Sequence, residues 1–182
     1  MNKAKLIISA LVLMLSGMGT SFAELDVVDR VDLERYEGRW YEIARLPNRF
    51  QRQCVSDVSA EYRLRDDGRV GVTNRCRRDD GDFAEASGVA RLSDPDGPQG
   101  ALEVRFAPAW LSFLPFVWGD YRILVLGPDY DHALIGSDNR RYLWVLSRAD
   151  EMDDALLGRL LERARDQGFD TQNVILTRHE EH

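Results

Sequence analysis

Side chains capable of nucleophilic or metal chemistry are few in this sequence, and their spacing fits no catalytic or metal-binding pattern. The sulfur ligands are limited to Cys54 and Cys76, whose separation matches no zinc signature. The remaining candidate ligands are His132, His179 and His182, of which the last two lie in a charged C-terminal tail that we expect to fray. The sequence therefore predicts no metal site and no bound cofactor.

Carboxylates and hydroxyls give no stronger case for an enzyme. No Ser-His-Asp arrangement is discernible, and the paired carboxylates of Asp79 and Asp80 lie in an apparent turn, where solvation is the usual explanation. We therefore expect a protein that binds rather than catalyses. A thiol enzyme that uses Cys54 stays open, although a disulfide to Cys76 would exclude it because the reactive species is the thiolate.

The N-terminus has the features of a cleaved export signal. Two lysines precede a predominantly apolar run from Leu6 to Leu15, and Ser21-Phe22-Ala23 is a small-x-small cleavage site. The run is too short to span a bilayer, which makes a retained anchor the weaker alternative. We expect residues 1-23 to be a signal peptide and residues 24-182 to form a single mature domain.

The leader also bears on where the mature chain resides. Leu15-Ser16-Gly17 resembles the start of the bacterial lipoprotein signal, but Met18 stands where that signal needs the cysteine that receives the lipid. In a bacterial host, the sequence thus predicts a soluble protein of the periplasm or a secreted one. That compartment oxidises thiols, so we expect a single disulfide between Cys54 and Cys76.

The mature chain is acidic and of single-domain size. About 160 residues remain after the leader, enough for a core of ordinary size. Without the two leader lysines, 22 basic residues stand against 31 acidic ones, a net charge of -9. Such a surface disfavours nucleic acid, whose phosphates require a basic face, and disfavours adhesion to an anionic membrane by charge alone.

From Trp40 onward the sequence consists of short alternating runs separated by turn residues, which is typical of an antiparallel sandwich or barrel. The clearest run, Cys54 to Leu64, is followed by a turn at Asp66-Asp67-Gly68 and a return run from Val70 to Cys76. Both cysteines fall on inward faces of these strands, although a bridge between them requires a bulge or a displaced loop. Eight such runs are present, and an even number of antiparallel strands can close without an exposed edge.

Helical spacing occurs once, after the eighth run. Apolar residues recur at three- and four-residue intervals from Met152 to Ala164, Asp153 and Asp154 favour the helix start, and Gly168 suits its end. We expect this helix to pack its apolar stripe on the outside of the sheet. Val174 to Leu176 would then add a short final strand.

Three short motifs, in order along the chain, resemble the signatures of the lipocalin family, and of its bacterial outer-membrane and apolipoprotein D branch in particular. They are Gly38-Arg39-Trp40, then Pro128-Asp129-Tyr130, in which Pro replaces the family's Thr, and finally Arg148. The resemblance runs from about Leu33 to Thr177. It implies an all-β fold, an eight-stranded up-and-down antiparallel β-barrel (calyx), with one C-terminal α-helix outside it.

The resemblance also implies a structural role for these motifs, since the three segments meet at the closed end of the calyx in lipocalins. Trp40 is expected to plug the base of the barrel while the Arg148 guanidinium stacks across it from outside, and Gly38 would permit the close approach. Asp129 and Tyr130 belong to the same closed end. We prefer this structural role of Trp40 to a catalytic one.

An eight-stranded barrel holds one small ligand when its inner residues are not all large. With Trp40 inward, a period of two turns Glu42 inward and Tyr41 and Ile43 outward, beneath the helix. The predicted apolar lining is formed by Ala44, Val58, Ala60, Tyr62, Val72, Ala86, Ala90, Val104, Phe106, Ile123 and Trp144. The polar residues on the same faces, which either hydrogen-bond a ligand's headgroup or bond one another and buried water, are Glu42, Asn74, Tyr121 and Tyr142.

The family's connectivity places a broken apolar segment, Ala107 to Gly119, at the open mouth of the barrel. Its large apolar side chains are Trp110, Leu111, Phe113, Leu114, Phe116, Val117 and Trp118. They either fold over one another as a lid or form a hydrophobic patch that contacts a membrane, a partner subunit or an incoming lipid. We favour the patch, because so many large apolar residues are hard to bury within one loop.

The resemblance implies a protein that binds small hydrophobic ligands, and the lining suits an acyl chain because each buried methylene contributes about 0.8 kcal/mol. The function we prefer is a carrier or scavenger of fatty acids or lysophospholipids that serves membrane maintenance or a stress response. Two alternatives stay open. One is an isomerase that uses an inward Cys54 thiol, as in a few lipocalins; the other is a docking or dimerisation module that uses the apolar loop.

Overall fold

A computed structural model of the protein describes residues 23–180. The predicted signal peptide, apart from Ala23, lies outside this range. One short helix, eight consecutive strands, a longer helix and a ninth short strand follow one another along the described chain. They are α1 (Leu33–Tyr36), β1 (Gly38–Arg45), β2 (Ser56–Leu64), β3 (Val70–Arg77), β4 (Phe83–Leu92), β5 (Ala101–Arg105), β6 (Gly119–Leu126), β7 (His132–Gly136), β8 (Leu143–Ser147), α2 (Asp154–Asp166) and β9 (Ile175–Leu176).

Strands β1 to β8 form a closed antiparallel barrel. Each strand pairs with the next, and β1 pairs with both β2 and β8, so that the sheet closes on itself. β9 pairs with Ala44 and Arg45 in the second half of β1, beyond the part of β1 that β2 covers. The predicted eight-stranded calyx with a short final strand is confirmed.

Two apolar cores lie on opposite sides of this sheet. The inner core surrounds Trp40 and Tyr62 within the barrel. The second core lies between α2 and the outer face of the sheet, where Leu160 packs with Ile43 and Leu134. The helix therefore covers the outside of the barrel, as its apolar stripe predicts, and leaves the inner face to other residues.

The longer helix begins and ends close to its predicted positions. Asp153 caps α2 by accepting a hydrogen bond from the Leu156 amide at 3.0 Å, and Gly168 adopts a φ of +89° just after the last turn. The short helix α1 was not predicted, because four residues are too few to show a helical period. Among residues 23–180, no helix is both long and apolar enough to span a bilayer.

The predicted disulfide is present between Cys54 and Cys76, whose Cα atoms are 5.5 Å apart. The prediction that Cys54 lies on a strand face is wrong, because β2 begins only at Ser56 and Cys54 belongs to the loop before it. A register shift between Ser56 and Ser59 also displaces the start of β2 against β3. The displaced loop and the bulge together bring the two cysteines within bonding distance.

The direction of β1 defines the two ends of the barrel. β1 starts at Gly38, beside the base around Trp40, and runs away from it. Because consecutive strands are antiparallel, the loops that follow β1, β3, β5 and β7 all lie at the opposite, open end. The apolar loop between β5 and β6 is one of these four, as the family's connectivity implies.

Candidate ligand-binding site

Trp40 closes the base of the barrel. Its side chain is completely buried, and its indole Nε1 donates a hydrogen bond to the Tyr36 carbonyl oxygen at 2.9 Å. The Cζ atom of Arg148 lies 4.1 Å from the centre of the indole ring, which is cation–π geometry. The arrangement expected from the three motifs is therefore present.

Arg148 also holds the neighbouring backbone in place. Its Nη1, Nη2 and Nε atoms donate to the carbonyl oxygens of Arg39, Arg35 and Tyr130 at 2.9, 2.8 and 3.2 Å. Gly38 has a φ of +92°, and a Cβ at this position would lie 3.3 Å from Nη1. Gly38 thus satisfies two demands at once, a left-handed backbone and a close approach of the guanidinium.

Tyr130 joins the second motif to the same end of the barrel. Its hydroxyl accepts a hydrogen bond from the Asp32 amide at 2.8 Å, and the Arg35 guanidinium lies 4.1 Å from its ring centre. Tyr130 has a φ of +60°, in the turn where the neighbouring Asp129 is exposed. The Asp-Tyr pair therefore shapes the turn between β6 and β7 that receives α1.

Three tyrosine hydroxyls meet above Trp40 inside the barrel. The Tyr121 hydroxyl lies 2.9 Å from that of Tyr36 and 2.8 Å from that of Tyr62. Burial raises the pKa of Tyr62 to about 12 and raises the pKa values of Tyr36 and Tyr121 well above their ordinary value. For Tyr121, the alternative that polar residues of the lumen bond one another is the one observed.

Small and medium side chains form the inner wall above the base. Ala60, Val72 and Ala90 are buried members of the inner core. Nearer the open end, Asn74 and Ala86 are register partners in β3 and β4, and both are exposed. Exposure at inward-facing positions shows that the protein's own side chains do not fill this half of the lumen.

Four more residues of the predicted lining occupy different depths. Ile123 is only 1% exposed and belongs to the filled base. Val104 packs on the inner core from the side, and Val58 is buried without belonging to either core. Phe106 lies over Gly88, where an added Cβ would come within 2.8 Å of its ring, and remains 42% exposed. The lumen is thus closed below and open above.

A β-bulge in β1 changes which residues face the lumen. Glu42 pairs with Leu146, but Ala44 pairs with Val145, so β1 contains one extra residue between these pairs. The prediction that Ala44 lines the lumen is wrong, because Ala44 lies in the core beneath α2. Arg45, which a strict period of two places outside, is turned inward instead as the register partner of Trp144.

Glu42 does face the lumen, and its carboxylate is already engaged. Its side chain is 3% exposed and accepts hydrogen bonds from Gln51 Nε2 and Thr177 Oγ1, both at 2.5 Å. The Arg45 Nε atom lies 3.2 Å from Glu42 Oε1. Burial raises the pKa of the Glu42 carboxyl, against the opposing effect of these hydrogen bonds and of Arg45.

An aromatic row leads from the mouth into the lumen. The Phe50 and Tyr142 ring centres are 5.6 Å apart, and Tyr142 stacks on Trp144 with centres 5.9 Å apart and planes inclined by 15°. The Trp144 Nε1 atom donates to Gln51 Oε1 at 2.9 Å, which joins this row to the Glu42 group. Tyr142 and Trp144 were predicted in the lining, whereas Phe50, Gln51 and Arg45 were not.

The apolar loop at the open end presents three aromatic side chains to solvent. Trp110, Phe113 and Phe116 are 72, 75 and 78% exposed, and they lie on or beside the two 3₁₀ turns of the loop. Leu111 and Leu114 are half-buried. These exposures contradict a lid in which the large side chains fold over one another.

Trp118 does not belong to the exposed patch. Its ring lies 3.9 Å from the Arg91 Cζ atom and 5.3 Å from that of Arg105, both of which occupy outward positions of β4 and β5. Its Nε1 atom donates to the Ser112 carbonyl oxygen at 2.9 Å. The prediction of a mouth contact for Trp118 is wrong, since this residue covers the outer wall.

Within the described part of the chain, neither metal nor thiol chemistry has a site. No group of three or more potential metal ligands is present among residues 23–180, and His182 lies beyond them. Both cysteines are in the disulfide, so no described cysteine is free. An isomerase that depends on a Cys54 thiolate lacks its nucleophile in this state.

A family model described as a lipocalin-like domain matches residues 31–179, which include the closed end and the whole lumen. The chain is a lipocalin. Temperature-induced lipocalin-1 of Arabidopsis thaliana is 41% identical to it over 159 residues, 87% of this chain and 84% of the relative. Outer membrane lipoprotein Blc of Escherichia coli K12 is 38% identical over 150 residues, 82% and 80%. Apolipoprotein D of Cavia porcellus is 30% identical over 166 residues, 83% and 78%.

Solved structures of distant lipocalins have the same fold. Insecticyanin of the tobacco hornworm Manduca sexta matches with a TM-score of 0.66 at 18% identity, covering 88% of this chain and 87% of that one. Lobster apocrustacyanin A1 matches with a TM-score of 0.64, also at 18% identity, covering 88% and 92%. At such identities the likeness extends to the barrel and not to the ligand.

Membership of the family sets the general activity. Lipocalins bind small hydrophobic ligands, and they are generally binding or transport proteins rather than enzymes. In this lipocalin the base of the barrel is filled by aromatic side chains and the upper lumen is not. The exposed inward-facing residues Asn74 and Ala86 lie between the tyrosine hydroxyls and the mouth.

Proposed function

We propose that this lipocalin carries or scavenges single-chain lipids, namely fatty acids or lysophospholipids, outside the cytoplasm, in the service of membrane maintenance or a stress response. The observation that carries the proposal is that Asn74 and Ala86, register partners on the inner face of the wall, stay exposed above a filled base. A lipid tail would cover that wall.

The chemistry of the wall favours an acyl chain over a compact polar ligand. Each methylene that enters contributes about 0.8 kcal/mol, so twelve methylenes contribute roughly 10 kcal/mol before the costs of ordering the chain. Apart from Asn74, the small residues of the wall offer no side-chain hydrogen bond, and an acyl chain requires none. The polar groups near Glu42 lie to one side, where a headgroup would sit.

A pair of tryptophan substitutions tests whether the lumen is the binding site. Ala86→Trp adds a large ring on the inner face of β4, whereas Ser87→Trp adds the same ring on the outer face one residue later. Both native residues are exposed, so neither substitution fills a packed core. We expect Ala86→Trp to weaken binding of a fluorescent fatty acid at least tenfold and Ser87→Trp to change it less than twofold.

Native mass spectrometry of the mature protein, purified without detergent, gives the second measurement. A co-purifying lipid of one chain, lost in Ala86→Trp and retained in Ser87→Trp, would support the carrier. An empty monomer that takes up no fatty acid would contradict it. An empty dimer would favour the docking module, in which the apolar loop joins two copies.

We further propose that the exposed loop contacts a membrane when lipid enters or leaves. The segment from Phe106 to Gly119 contains no charged residue and presents the rings of Trp110, Phe113 and Phe116. Aromatic side chains of this kind favour the membrane interface, and net charge plays no part in the contact. This proposal fits an exported protein of the periplasm or the medium.

Vesicle flotation tests the loop. The double variant Trp110→Ser and Phe113→Ser should lose most binding to neutral phosphatidylcholine vesicles. Leu176→Ser removes an exposed apolar side chain from β9 and should leave binding unchanged. Equal binding of the double variant and the unmodified protein would refute the membrane contact.

A further inference from the structure

We infer that Arg45 is the anion-binding residue of the lumen, where its guanidinium receives the carboxylate or phosphate oxygens of a single-chain lipid. This inference rests on the proposed function and goes beyond it, because it names the class of headgroup and the residue that selects it. A fatty alcohol or a fatty acid ester, which lacks the negative charge, should bind more weakly than the anionic lipid with the same chain.

The Arg45 side chain lies inside the barrel, near its open end. The bulge in β1 turns Arg45 inward, where it pairs in register with Trp144 and approaches Glu42. Only 10% of its side-chain surface is exposed. A guanidinium cannot lose its proton in a protein, so this group keeps its charge in a largely buried position.

The Arg45 guanidinium has hydrogen-bond donors that no described residue accepts. Arg45 Nε lies 3.2 Å from Glu42 Oε1, but the two are not aligned for a hydrogen bond, and Nε is enclosed without an acceptor. No acceptor for Nη1 or Nη2 is present among residues 23–180 either. Arginines packed against a barrel normally donate from Nη1 and Nη2 to carbonyl or carboxylate oxygens, as the half-buried Arg148 does at the base.

The Glu42 carboxylate lies close to Arg45 but accepts no hydrogen bond from it. The Glu42 carboxylate is held by Gln51 and Thr177 from two sides, and it reaches Arg45 only near Nε. The fork between Nη1 and Nη2 is a separate edge of the guanidinium, and its geometry matches the two oxygens of a carboxylate or phosphate. A second oxyanion can therefore bind without displacing the first.

The surroundings agree with a headgroup at this position. Arg45 is the last residue of β1 and thus lies toward the open end, next to the aromatic row of Phe50, Tyr142 and Trp144. A charged group there stays close to solvent while its chain reaches the small residues of the wall. The filled base below Tyr121 leaves no comparable place for a charge.

The test measures affinity for three ligands that share one monounsaturated hydrocarbon chain: oleic acid, oleyl alcohol and oleoyl lysophosphatidic acid. The variants are Arg45→Gln, which removes the charge, and Arg45→Lys, which keeps the charge but loses the fork. Arg105→Gln is the matched control, because Arg105 is equally buried but lies on the outward face of β5. Circular dichroism and oleyl alcohol binding establish that each variant is folded.

We expect the unmodified protein and Arg105→Gln to prefer oleic acid or the lysophosphatidic acid to oleyl alcohol. Arg45→Gln should weaken binding of the preferred anion about tenfold to a hundredfold and change oleyl alcohol binding less than twofold. Arg45→Lys should fall between them. Whichever anion loses more affinity identifies the headgroup as carboxylate or phosphate.

The failures of the inference and of the proposed function are distinguishable. If all three ligands bind equally and Arg45→Gln alters none of them, Arg45 selects no anion, but the lumen still binds lipid. If no ligand binds the unmodified protein, both are wrong. Should Arg45→Gln not fold, Glu42→Gln serves instead: it removes the neighbouring negative charge and should strengthen anion binding severalfold, and unchanged or weaker binding would overturn the inference.

Discussion

Replacing Arg148 by Met should destabilise the protein by about 4 kcal/mol, because four contacts hold its guanidinium at the base of the barrel. Its Cζ atom lies 4.1 Å from the Trp40 ring centre, and a cation–π contact of a half-buried guanidinium contributes about 1 to 2 kcal/mol. Its nitrogens also donate to the carbonyl oxygens of Arg35, Arg39 and Tyr130. Since water can reach these partly exposed carbonyls, we assign each hydrogen bond only about 0.5 to 1 kcal/mol.

Urea denaturation measures the loss directly, and thermal denaturation should show a fall in Tm of about 8 to 16 °C for a domain of this size. Arg148→Lys separates the two contributions. A lysine keeps a cation over the indole but cannot donate to three carbonyls in a fixed geometry, so this variant should lie between Arg148→Met and the unmodified protein.

Arg39→Met is the matched control for Arg148→Met. Its side chain is 56% exposed, and among residues 23–180 its one ion pair is with Glu61, at 3.8 Å, a surface pair that contributes about 0 to 1 kcal/mol. The same change of charge and length should therefore cost far less at position 39 than at position 148. A loss of less than about 1 kcal/mol in the free energy of unfolding for Arg148→Met, or equal losses for both variants, would show that Arg148 does not stabilise the closed end of the barrel.

Three further predictions concern the disulfide and the tyrosine cluster. Reducing the Cys54–Cys76 bond, which spans 22 residues, should lower the free energy of unfolding by about 3 kcal/mol in urea denaturation, and an unchanged transition would contradict this. Tyr121→Phe removes the hydroxyl shared by Tyr36 and Tyr62 and should cost about 1 to 3 kcal/mol in the same assay, whereas no loss would show that the cluster is not stabilising. The pKa of Tyr62 rises from 10.0 to about 12 on folding, so the contribution of this shift to the free energy of unfolding is complete below pH 10 and is lost as the pH rises toward 12. Tyr62→Phe should make the loss of stability over this pH range less steep, as measured by denaturation at several pH values.

The closed end could be predicted because short motifs in the sequence resemble the lipocalin signatures. Gly38, Trp40 and Arg148 each belong to such a motif, and the resemblance implied that they meet at the base of the barrel. The eight strands and α2 could also be predicted, because alternating apolar residues and an apolar period of three and four residues can be recognised in the sequence without knowledge of tertiary contacts. These features required only that each residue be placed on the correct face of its element.

The lumen was predicted less well, because one inserted residue reverses the faces of a strand. Counting by twos from Trp40 placed Ala44 inside and Arg45 outside, and the bulge after Glu42 exchanged them. The sequence did contain a sign of this: a regular strand would have put Arg45 under the apolar stripe of α2. The position of Trp118 was predicted wrongly for another reason. Whether the loop folds outward over Arg91 depends on partners that are distant in the sequence.

The bulge in β1 links the stability of the fold to the chemistry of the lumen. With a regular strand, the Arg45 guanidinium would lie among apolar residues such as Leu160, where an unpaired charge costs several kcal/mol. With the bulge, the small side chain of Ala44 is completely buried there instead. Packing beneath the helix alone therefore favours the irregular strand. An inward cation beside Glu42 follows from that choice. In the binding that we propose, this cation would distinguish the headgroup of a lipid from its hydrocarbon chain.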